Sequence, residues 1–269
     1  NSYNRYNFTA RNTTHFLNDK LTLDIGAQYI VQNNKNMVSQ GQYYNPLPSL
    51  YLFPRGDNFD EIRLYERYNT NYGYMEQYWP YGDASLSLQN PYWIQNRINR
   101  TSNKKRYMMN ASLKWQATDW LNVVGRVNLD NSDYRNKNEK SASTLTTFCG
   151  VSGGFEDAMR QERSLYADFL ANIDKTFGDF HLTANVGASI YHTSMDQLYI
   201  AGDLVIPNFF QINNINFSAN YKPDPTGYED EIQSIFASAE LSWKNQLYLT
   251  VTGRNDWDSK LAFSKQKSF

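Results

Sequence analysis

The stretch from Gln233 to Asp256 constrains the fold more than any other part of the sequence. Apolar residues alternate with polar residues along two runs that flank the turn at 244–246. A period of two is the pattern of a β-strand with one apolar face, and two such runs around a short Asn-containing turn predict an antiparallel hairpin. Each run is about ten residues long, which exceeds the usual strand of about 5–6 residues and suits a tilted strand that crosses a bilayer.

The same alternation recurs in three earlier pairs of runs, each pair around a short turn. These runs lie at about 3–17 and 21–32, 106–117 and 121–130, and 164–174 and 180–190. The sequence therefore predicts an all-β fold of about eight antiparallel strands. Three long segments, at about 33–104, 132–161 and 193–230, connect the four hairpins. Transmembrane barrels have this asymmetry, with short periplasmic turns and long extracellular loops.

A soluble β-sandwich would also show alternation, but three features favour a transmembrane barrel segment. The strands are long, and the middles of the apolar faces carry no fully charged residue, since Lys or Arg there would cost roughly 2–4 kcal/mol in lipid. Aromatic residues of the apolar faces occur at two levels about eight to ten residues apart, as expected for the two interfaces of a bilayer. Those near the short turns are Phe16, Trp115, Phe177, Phe180 and Trp243.

Composition excludes several classes of function. The net charge of −1 does not predict a nucleic-acid partner, and no run of about 18 apolar residues predicts a transmembrane helix. One cysteine, Cys149, excludes an internal disulfide framework. His15, His181 and His192 are too scattered for a metal site, and no nucleophile elbow, P-loop or dinucleotide fingerprint is present. We therefore predict no enzyme activity, no metal and no cofactor.

Two groups of residues are candidates for binding. The segment between Tyr43 and Trp93 is rich in aromatic residues, which can stack on sugar rings or anchor a protein partner. Packing of the loop on itself is the favoured explanation, with partner docking and substrate contact as alternatives. The candidates for substrate or partner binding are Tyr72, Tyr74, Tyr78, Trp79, Tyr81, Tyr92 and Trp93.

The second group consists of charged residues on the polar faces of the strands, which would line the barrel interior. These residues can contact a plug or a polar substrate, although mutual neutralisation in a wet lumen is the simpler explanation. Their mixed sign argues against a pore selective for one charge. The lumen-facing candidates are Arg126, Asp130, Asp168, Arg254 and Asp256.

Several stretches resemble the SusC/RagA family of TonB-dependent outer-membrane transporters. Asn90-Pro91-Tyr92-Trp93, followed by a basic linker into a strand, is similar to a loop-to-strand entry of that family. The run from 234 to 257, which ends in Arg254-Asn255-Asp256-Trp257, resembles a barrel stretch that closes in an Arg-x-Asp turn.

This resemblance implies a barrel of about 22 strands with an N-terminal plug. The chain would then be an internal piece of the TonB-dependent receptor β-barrel domain over 1–269, without the plug domain, the TonB box or the signal peptide. The resemblance further implies location in the outer membrane of a Gram-negative, Bacteroidetes-like cell, contact with membrane lipid, and uptake of oligosaccharides or peptides. A SusD-like substrate-binding lipoprotein and the TonB complex would be the partners.

Two other functions remain open from the sequence. The chain could be a complete eight-stranded barrel with a structural or adhesin role, because an eight-stranded barrel is filled by its own side chains and admits no oligomeric nutrient. The chain could also be an outer-membrane enzyme, which the missing catalytic residues disfavour.

Overall fold

The protein is an all-β chain whose long strands form one antiparallel sheet. The structure, a computed structural model, describes residues 1–217, 223–261 and 267–268. The strands are β1 (Ser2–Phe16), β2 (Leu21–Lys35), β3 (Glu66–Asn69), β4 (Tyr74–Gln77), β5 (Ile98–Thr118), β6 (Leu121–Lys140), β7 (Gly154–Phe177), β8 (Phe180–Asp203), β9 (Asp224–Trp243), β10 (Leu247–Asp258) and β11 (Lys267–Ser268). The helices are α1 (Pro46–Tyr51) and α2 (Pro91–Asn96), with 3₁₀ turns at Phe59–Arg63 and Ile212–Asn214.

The order of strands in the sheet follows the chain, β1-β2-β5-β6-β7-β8-β9-β10-β11, and every neighbouring pair is antiparallel. Eight of these strands are long, which confirms the predicted number. The sequence analysis did not foresee the small hairpin of β3 and β4 or the two-residue strand β11. In the part of the chain that the structure describes, the sheet is open, because β1 pairs only with β2.

Three of the four short connections contain residues with positive φ. Asn18 and Asp19 have φ of 54° and 66°, Asn245 has φ of 55°, and Gly178 opens its two-residue turn with φ of 61°. Asn and Asp tolerate the left-handed region better than other residues with side chains, and glycine has no Cβ penalty there. These turns fix the pairing within each hairpin.

The strands continue well beyond the ends that alternation predicted, and this corrects the predicted loops. The expected loop at 33–104 narrows to 36–97, and the one at 132–161 to 141–153. The loop at 193–230 narrows to 204–223, of which 218–222 lie outside the described residues. The alternation of apolar and polar residues ends where neither face of a strand is strictly apolar. Backbone hydrogen bonding between strands needs no such alternation, so the strands stay paired beyond that point.

Neighbouring hairpins are displaced along the strand axis. Leu21 at the start of β2 pairs with Trp115, yet β5 continues to Thr118 before it turns. Leu121 at the start of β6 pairs with Ile173, yet β7 continues to Phe177. Such a stagger accompanies strands that tilt relative to a barrel axis. No feature of an isolated hairpin predicts the displacement.

One face of the sheet, which we call the apolar face, exposes a continuous apolar band near the short turns. Phe8 is 62% exposed, Leu249 64% and Val186 53%. Contiguous exposed apolar surface of this extent marks contact with a membrane or a partner. The opposite face, the polar face, carries Arg, Asp, Asn, Ser and Thr side chains between the same strands.

At the other end of the strands, the segments 36–97, 141–153 and 204–217 form a folded layer that we call the cap. Nearly all buried hydrophobic residues lie in the cap or at the strand ends beside it. They include Ile62, Leu88, Trp93, Ile94, Ile98, Ala142, Phe155, Ile200, Leu204 and Ile215. None of the helices among the described residues has both the length and the apolar character needed to cross a membrane.

Candidate functional site: the polar face and the cap

A single row of polar residues crosses the polar face from β1 to β10. Register places one residue of each long strand in this row, because each pairs with the next across the ladder. The row is Thr13, Asp24, Ser112, Arg126, Asp168, Ser189, Ser234 and Asp256. Three of the five predicted lumen-facing residues belong to it, although they lie far apart in the sequence.

Bidentate ion pairs dominate this row. Arg126 donates from Nε and Nη2 to Asp168 at 2.9 and 2.8 Å, and the Asp168 side chain is only 1% exposed. Arg11 donates to Asp24 at 2.8 Å. Guanidinium–carboxylate pairs of this kind combine two charge-assisted hydrogen bonds with a fixed geometry.

The other two predicted residues lie on the same face. Arg106 donates from Nε to Asp130 at 2.8 Å and makes a second contact through Nη2. Arg254 donates to Asp256 at 2.8 Å and to Ser234 Oγ at 3.0 Å. Each of the five predicted residues thus has a partner of opposite charge within the wall. These five residues therefore form locally neutral pairs on the polar face, which can exchange hydrogen bonds with water or a polar solute.

The cap places the seven aromatic candidates in three different environments. Trp93 is completely buried, and its Nε1 donates to Thr144 Oγ1 at 3.0 Å. It has no surface for a substrate or a partner in this structure, so we assign it to packing rather than to binding. Ile94 of the same helix and Ile98, just after it, are also buried, so this part of the chain faces the interior of the cap.

Asn90 explains why α2 begins where it does. Its Oδ1 accepts from Tyr92 N at 2.9 Å as a helix N-cap, and Pro91 occupies the first helical position, where a missing N–H costs nothing. Its Nδ2 donates to the carbonyl oxygens of Ile62 and Tyr78 at 2.8 and 2.9 Å. The Asn-Pro-Tyr-Trp motif is therefore the structural centre of the cap.

A chain of ring contacts links three further candidates to the cap interior. Trp79 meets Tyr81 at 5.0 Å between centroids, and Tyr81 meets Phe53 at 5.1 Å. Phe53 then contacts Phe59, which contacts Tyr92. Edge-on contacts at these distances are favourable aromatic pairs. Trp79, Tyr81 and Tyr92 are half-buried, and their contacts agree with self-packing of the loop.

The remaining candidates lie on or beside the β3–β4 hairpin. Arg67 covers the ring of Tyr78, with the guanidinium carbon 3.4 Å from its centroid. Tyr72 and Tyr74 stack at 5.7 Å, and Tyr72 is 63% exposed. Tyr74 also donates to the carbonyl of Val151 at 3.4 Å. Tyr72 thus has the most surface available to a partner among the seven.

Hydrogen bonds between distant segments hold the cap together, and the sequence analysis missed the residues that make them. Gln77 N donates to Ser143 Oγ at 3.0 Å, and Gln89 Oε1 accepts from Leu145 N at 3.1 Å. Asn208 Oδ1 accepts from Ala142 N at 2.8 Å. No spacing or motif could have found these pairs, since their partners are 56 to 66 residues apart.

Cys149 lies inside the cap with an exposed fraction of 7%. Burial raises the pKa of its thiol to about 11, with Lys140 opposing and Asp203 and Glu156 assisting that rise. The thiolate is the nucleophilic form, so this environment holds the cysteine in its unreactive form. Among the described residues, His, Cys, Asp and Glu side chains do not gather in groups of three or more that could hold a metal ion.

Among known proteins, solved structures share the fold of this chain. No protein-family model and no curated protein sequence matches the chain. The chain is similar in structure to the RagAB peptide transporter, with a TM-score of 0.73, 14% identity, and coverage of 99% of this chain and 29% of that one. The RagAB peptide importer in the 'open-open' state has a TM-score of 0.71 and 13% identity, with 99% of this chain and 28% of that chain covered. In the 'closed-closed' state the TM-score is 0.64 and the identity 14%, with 99% of this chain and 29% of that chain covered.

The chain therefore has the fold of a segment of this transporter's β-barrel, which confirms the predicted fold class and the resemblance to the SusC/RagA family at the level of fold. It spans less than a third of the length of the solved chains that it matches.

Proposed function

We propose that this chain is part of the barrel wall of a TonB-dependent outer-membrane importer of the SusC/RagA type. The observation that carries the proposal is the structural alignment of 99% of this chain with the RagAB peptide transporter. The eight long strands that align form one antiparallel sheet in chain order. The importer takes up oligomeric nutrients, with peptides favoured over oligosaccharides because the similar structures are described as a peptide transporter or importer. No covalent chemistry is part of this function.

In such a barrel, each face of the sheet has its own environment. The apolar face contacts membrane lipid, because a band with Phe8, Val186 and Leu249 more than half exposed is costly against water. The polar face lines the passage, where the paired Arg and Asp residues meet water, a plug or substrate. The cap lies on the extracellular side, and the short turns lie on the periplasmic side, as in other transmembrane barrels.

The cap offers a docking surface for a SusD-like lipoprotein. Tyr51, Tyr68, Tyr72 and Leu64 are each more than 60% exposed on it, and Val151 is 71% exposed beside the β3–β4 hairpin. Exposed aromatic residues on a rigid frame are typical anchors of a protein interface. The TonB complex would act through parts of the protein that precede this segment.

The alternative of a complete eight-stranded barrel requires β1 to pair with β10, which would close the sheet. In the described residues β10 pairs with β9 and β11 but not with β1. The open sheet favours a segment of a larger barrel.

The direct test of the proposal is the intact mass of the native protein extracted from outer membranes in detergent. A mass several times 31.3 kDa, together with loss of peptide uptake in cells that lack the protein, supports the importer. A mass near 31.3 kDa would contradict it and favour the small barrel.

The partner is tested by replacing both Tyr68 and Tyr72 with alanine. We expect the double variant to lose a lipid-modified protein that co-purifies with the wild type in equal amount. The matched control is Tyr248→Ala, which removes an exposed tyrosine beside a short turn at the other end of the sheet. Retention of the lipoprotein by the double variant would place the docking surface elsewhere.

A further inference from the structure

A small alcove lies on the polar face, just beneath the cap. It has a volume of about 320 Å³ and is lined by Asn34, Arg100, Ser102, Asn138, Glu156 and Tyr199. These residues come from five consecutive strands, β2, β5, β6, β7 and β8. The volume is at the lower end of the range for ligand sites, about 300–1,000 Å³, so the alcove can hold the end of an oligomer but not all of it.

Arg100 differs from Arg11, Arg106, Arg126 and Arg254 on the polar face because its guanidinium has no acidic partner. It donates to the carbonyl of Met37 at 2.6 Å and to Ser39 Oγ, and it lies 5.3 Å from the ring centroid of Tyr44. Among the described residues, no carboxylate oxygen lies within ion-pair distance of it. A half-buried guanidinium without a counter-charge favours an anionic ligand.

Glu156 does not supply the missing charge. Its carboxylate contacts Lys140 Nζ and accepts from Asn138 Nδ2 at 3.3 Å. The Lys140 side chain is 8% exposed and itself donates to the carbonyl of Phe148 at 3.0 Å. This pair is self-contained. Lys137 also borders the alcove, but it alternates with Asn136 and Asn138 along β6, so its side chain belongs to the opposite face of the sheet. Arg100 is therefore the unpaired positive charge that the polar face brings to the alcove.

Two amide oxygens in the alcove have hydrogen-bonding capacity to spare. Asn34 Oδ1 and Asn138 Oδ1 are both buried, and neither has a hydrogen-bond partner in the protein. Buried polar atoms normally find a partner. Both oxygens are enclosed, so each amide would have to rotate to accept a hydrogen bond from the N–H or O–H donors of a ligand. The alcove thus combines one site for an anion with two acceptors for donors.

We propose that the alcove binds the carboxyl-terminal end of a peptide, with its α-carboxylate on Arg100 and its last backbone N–H groups on Asn34 and Asn138. A peptide end supplies the anion and the donors within a few ångströms of each other. A neutral oligosaccharide supplies donors but leaves Arg100 without a counter-charge. The inference rests on the proposed importer function and makes the free carboxyl terminus a feature that this protein recognises.

The test measures binding of one short fluorescent peptide with neutral side chains, prepared as the free acid and as the C-terminal amide. The full-length protein is purified from outer membranes in detergent, with its lipoprotein partner if one co-purifies. We expect the free acid to bind at least about tenfold more tightly, because hydrogen bonds to charged groups contribute more than neutral ones. Equal affinity for the two peptides would contradict the proposed binding of a carboxyl terminus in the alcove but would leave the proposed importer function intact. Binding of neither peptide would count against the peptide importer itself.

Variants separate the alcove from the general field of the barrel. Arg100→Gln should abolish the preference for the acid, and Arg100→Lys should restore part of it. Lys114→Gln is the matched control, because it removes one positive charge from the same face of β5 near the short turn and should leave the preference intact. If Lys114→Gln had the same effect as Arg100→Gln, the preference for the free acid would come from the net charge of the barrel, and the proposed role of the alcove would be wrong.

A second variant guards against misfolding of Arg100→Gln. Asn34→Asp keeps the shape of the side chain and gives Arg100 an internal counter-charge, so it should also remove the preference for the free acid. Heat-dependent migration on gels shows whether each barrel is folded. A folded Asn34→Asp variant that keeps the full preference would contradict the proposal.

Discussion

The band of the apolar face and the core of the cap use the same kinds of side chain in opposite ways. Phe8 in the band is 62% exposed, whereas Trp93 in the cap is completely buried. The band residues are spaced by two along strands, and each meets only its neighbours on one face. The cap residues come from three separate segments that hydrogen bonds join, such as Trp93 to Thr144 and Ala142 to Asn208.

The difference shows where each region obtains its stability. The cap buries its apolar surface within the protein and so resembles a small soluble domain. The band contributes to stability by contact with lipid, because lipid rather than protein covers its side chains. Substitutions should therefore act in the cap by leaving cavities and in the band by placing polar atoms in lipid.

The largest effect should follow Trp93→Ala, which removes the fully buried indole and its hydrogen bond to Thr144. We expect opening of the cap to become easier by about 3–5 kcal/mol, the usual cost for a buried aromatic side chain. Hydrogen exchange of the full-length protein should show faster exchange in 36–97 and 141–153. Tyr51→Ala is the control, since Tyr51 is 85% exposed. Loss of protection throughout β5–β8 would show instead that cap and sheet unfold together.

The next largest effect should follow Val127→Lys, which places an ammonium group in the band. Its neighbours Ala111 and Ala167 on the adjacent strands are also apolar, so the charge has no partner nearby. We expect a loss of about 2 kcal/mol or more of folding free energy in lipid bilayers. Asn128→Lys on the polar face should cost much less, and similar losses for the two variants would mean that the two faces are not solvated differently.

A smaller effect should follow Asp168→Asn on the polar face. The Asp168 side chain is almost completely buried but its partner Arg126 is half exposed, so we expect a loss of about 1–2 kcal/mol. Asp24→Asn should cost less than Asp168→Asn, because Arg11 is well exposed to solvent. Urea unfolding of the two variants compares them, and an equal loss would show that burial of the carboxylate does not set the strength of the pair.

The last prediction concerns the reactivity of Cys149, which reports on opening of the cap without a substitution. Because burial raises the pKa of the thiol to about 11, the thiolate becomes populated only at higher pH. The rate of reaction with iodoacetamide should keep rising above pH 9, whereas an ordinary thiol levels off near its pKa of about 8.5. Trp93→Ala should accelerate the reaction and Val127→Lys should not. Fast labelling of the wild type at pH 8 would show that the cap opens readily.

Much of the fold could be predicted from local pattern. Alternation identified all eight long strands and their four hairpins, because one face of each strand must be apolar near the short turns. Alternation did not predict how far the strands continue beyond the band, where β6 extends to Lys140 and β7 begins at Gly154. Backbone pairing there leaves no alternating pattern in the sequence. The β3–β4 hairpin was missed because its strands have only four residues each.

The candidate residues were predicted with mixed success for the same reason. Arg126, Asp168 and Asp256 followed from alternation, which assigns every second residue to one face. The roles of the cap aromatics did not, because burial of Trp93 and exposure of Tyr72 depend on how distant segments pack.

The sequence by itself determined the strands, their two faces and the short turns, because each of these depends on residues that are close along the chain. Only the tertiary structure decided the stagger between hairpins, the row that joins Arg126 to Asp168 and Asp256, and the alcove around Arg100. These features depend on register between strands and on contacts between loops, and residues far apart in sequence decide both.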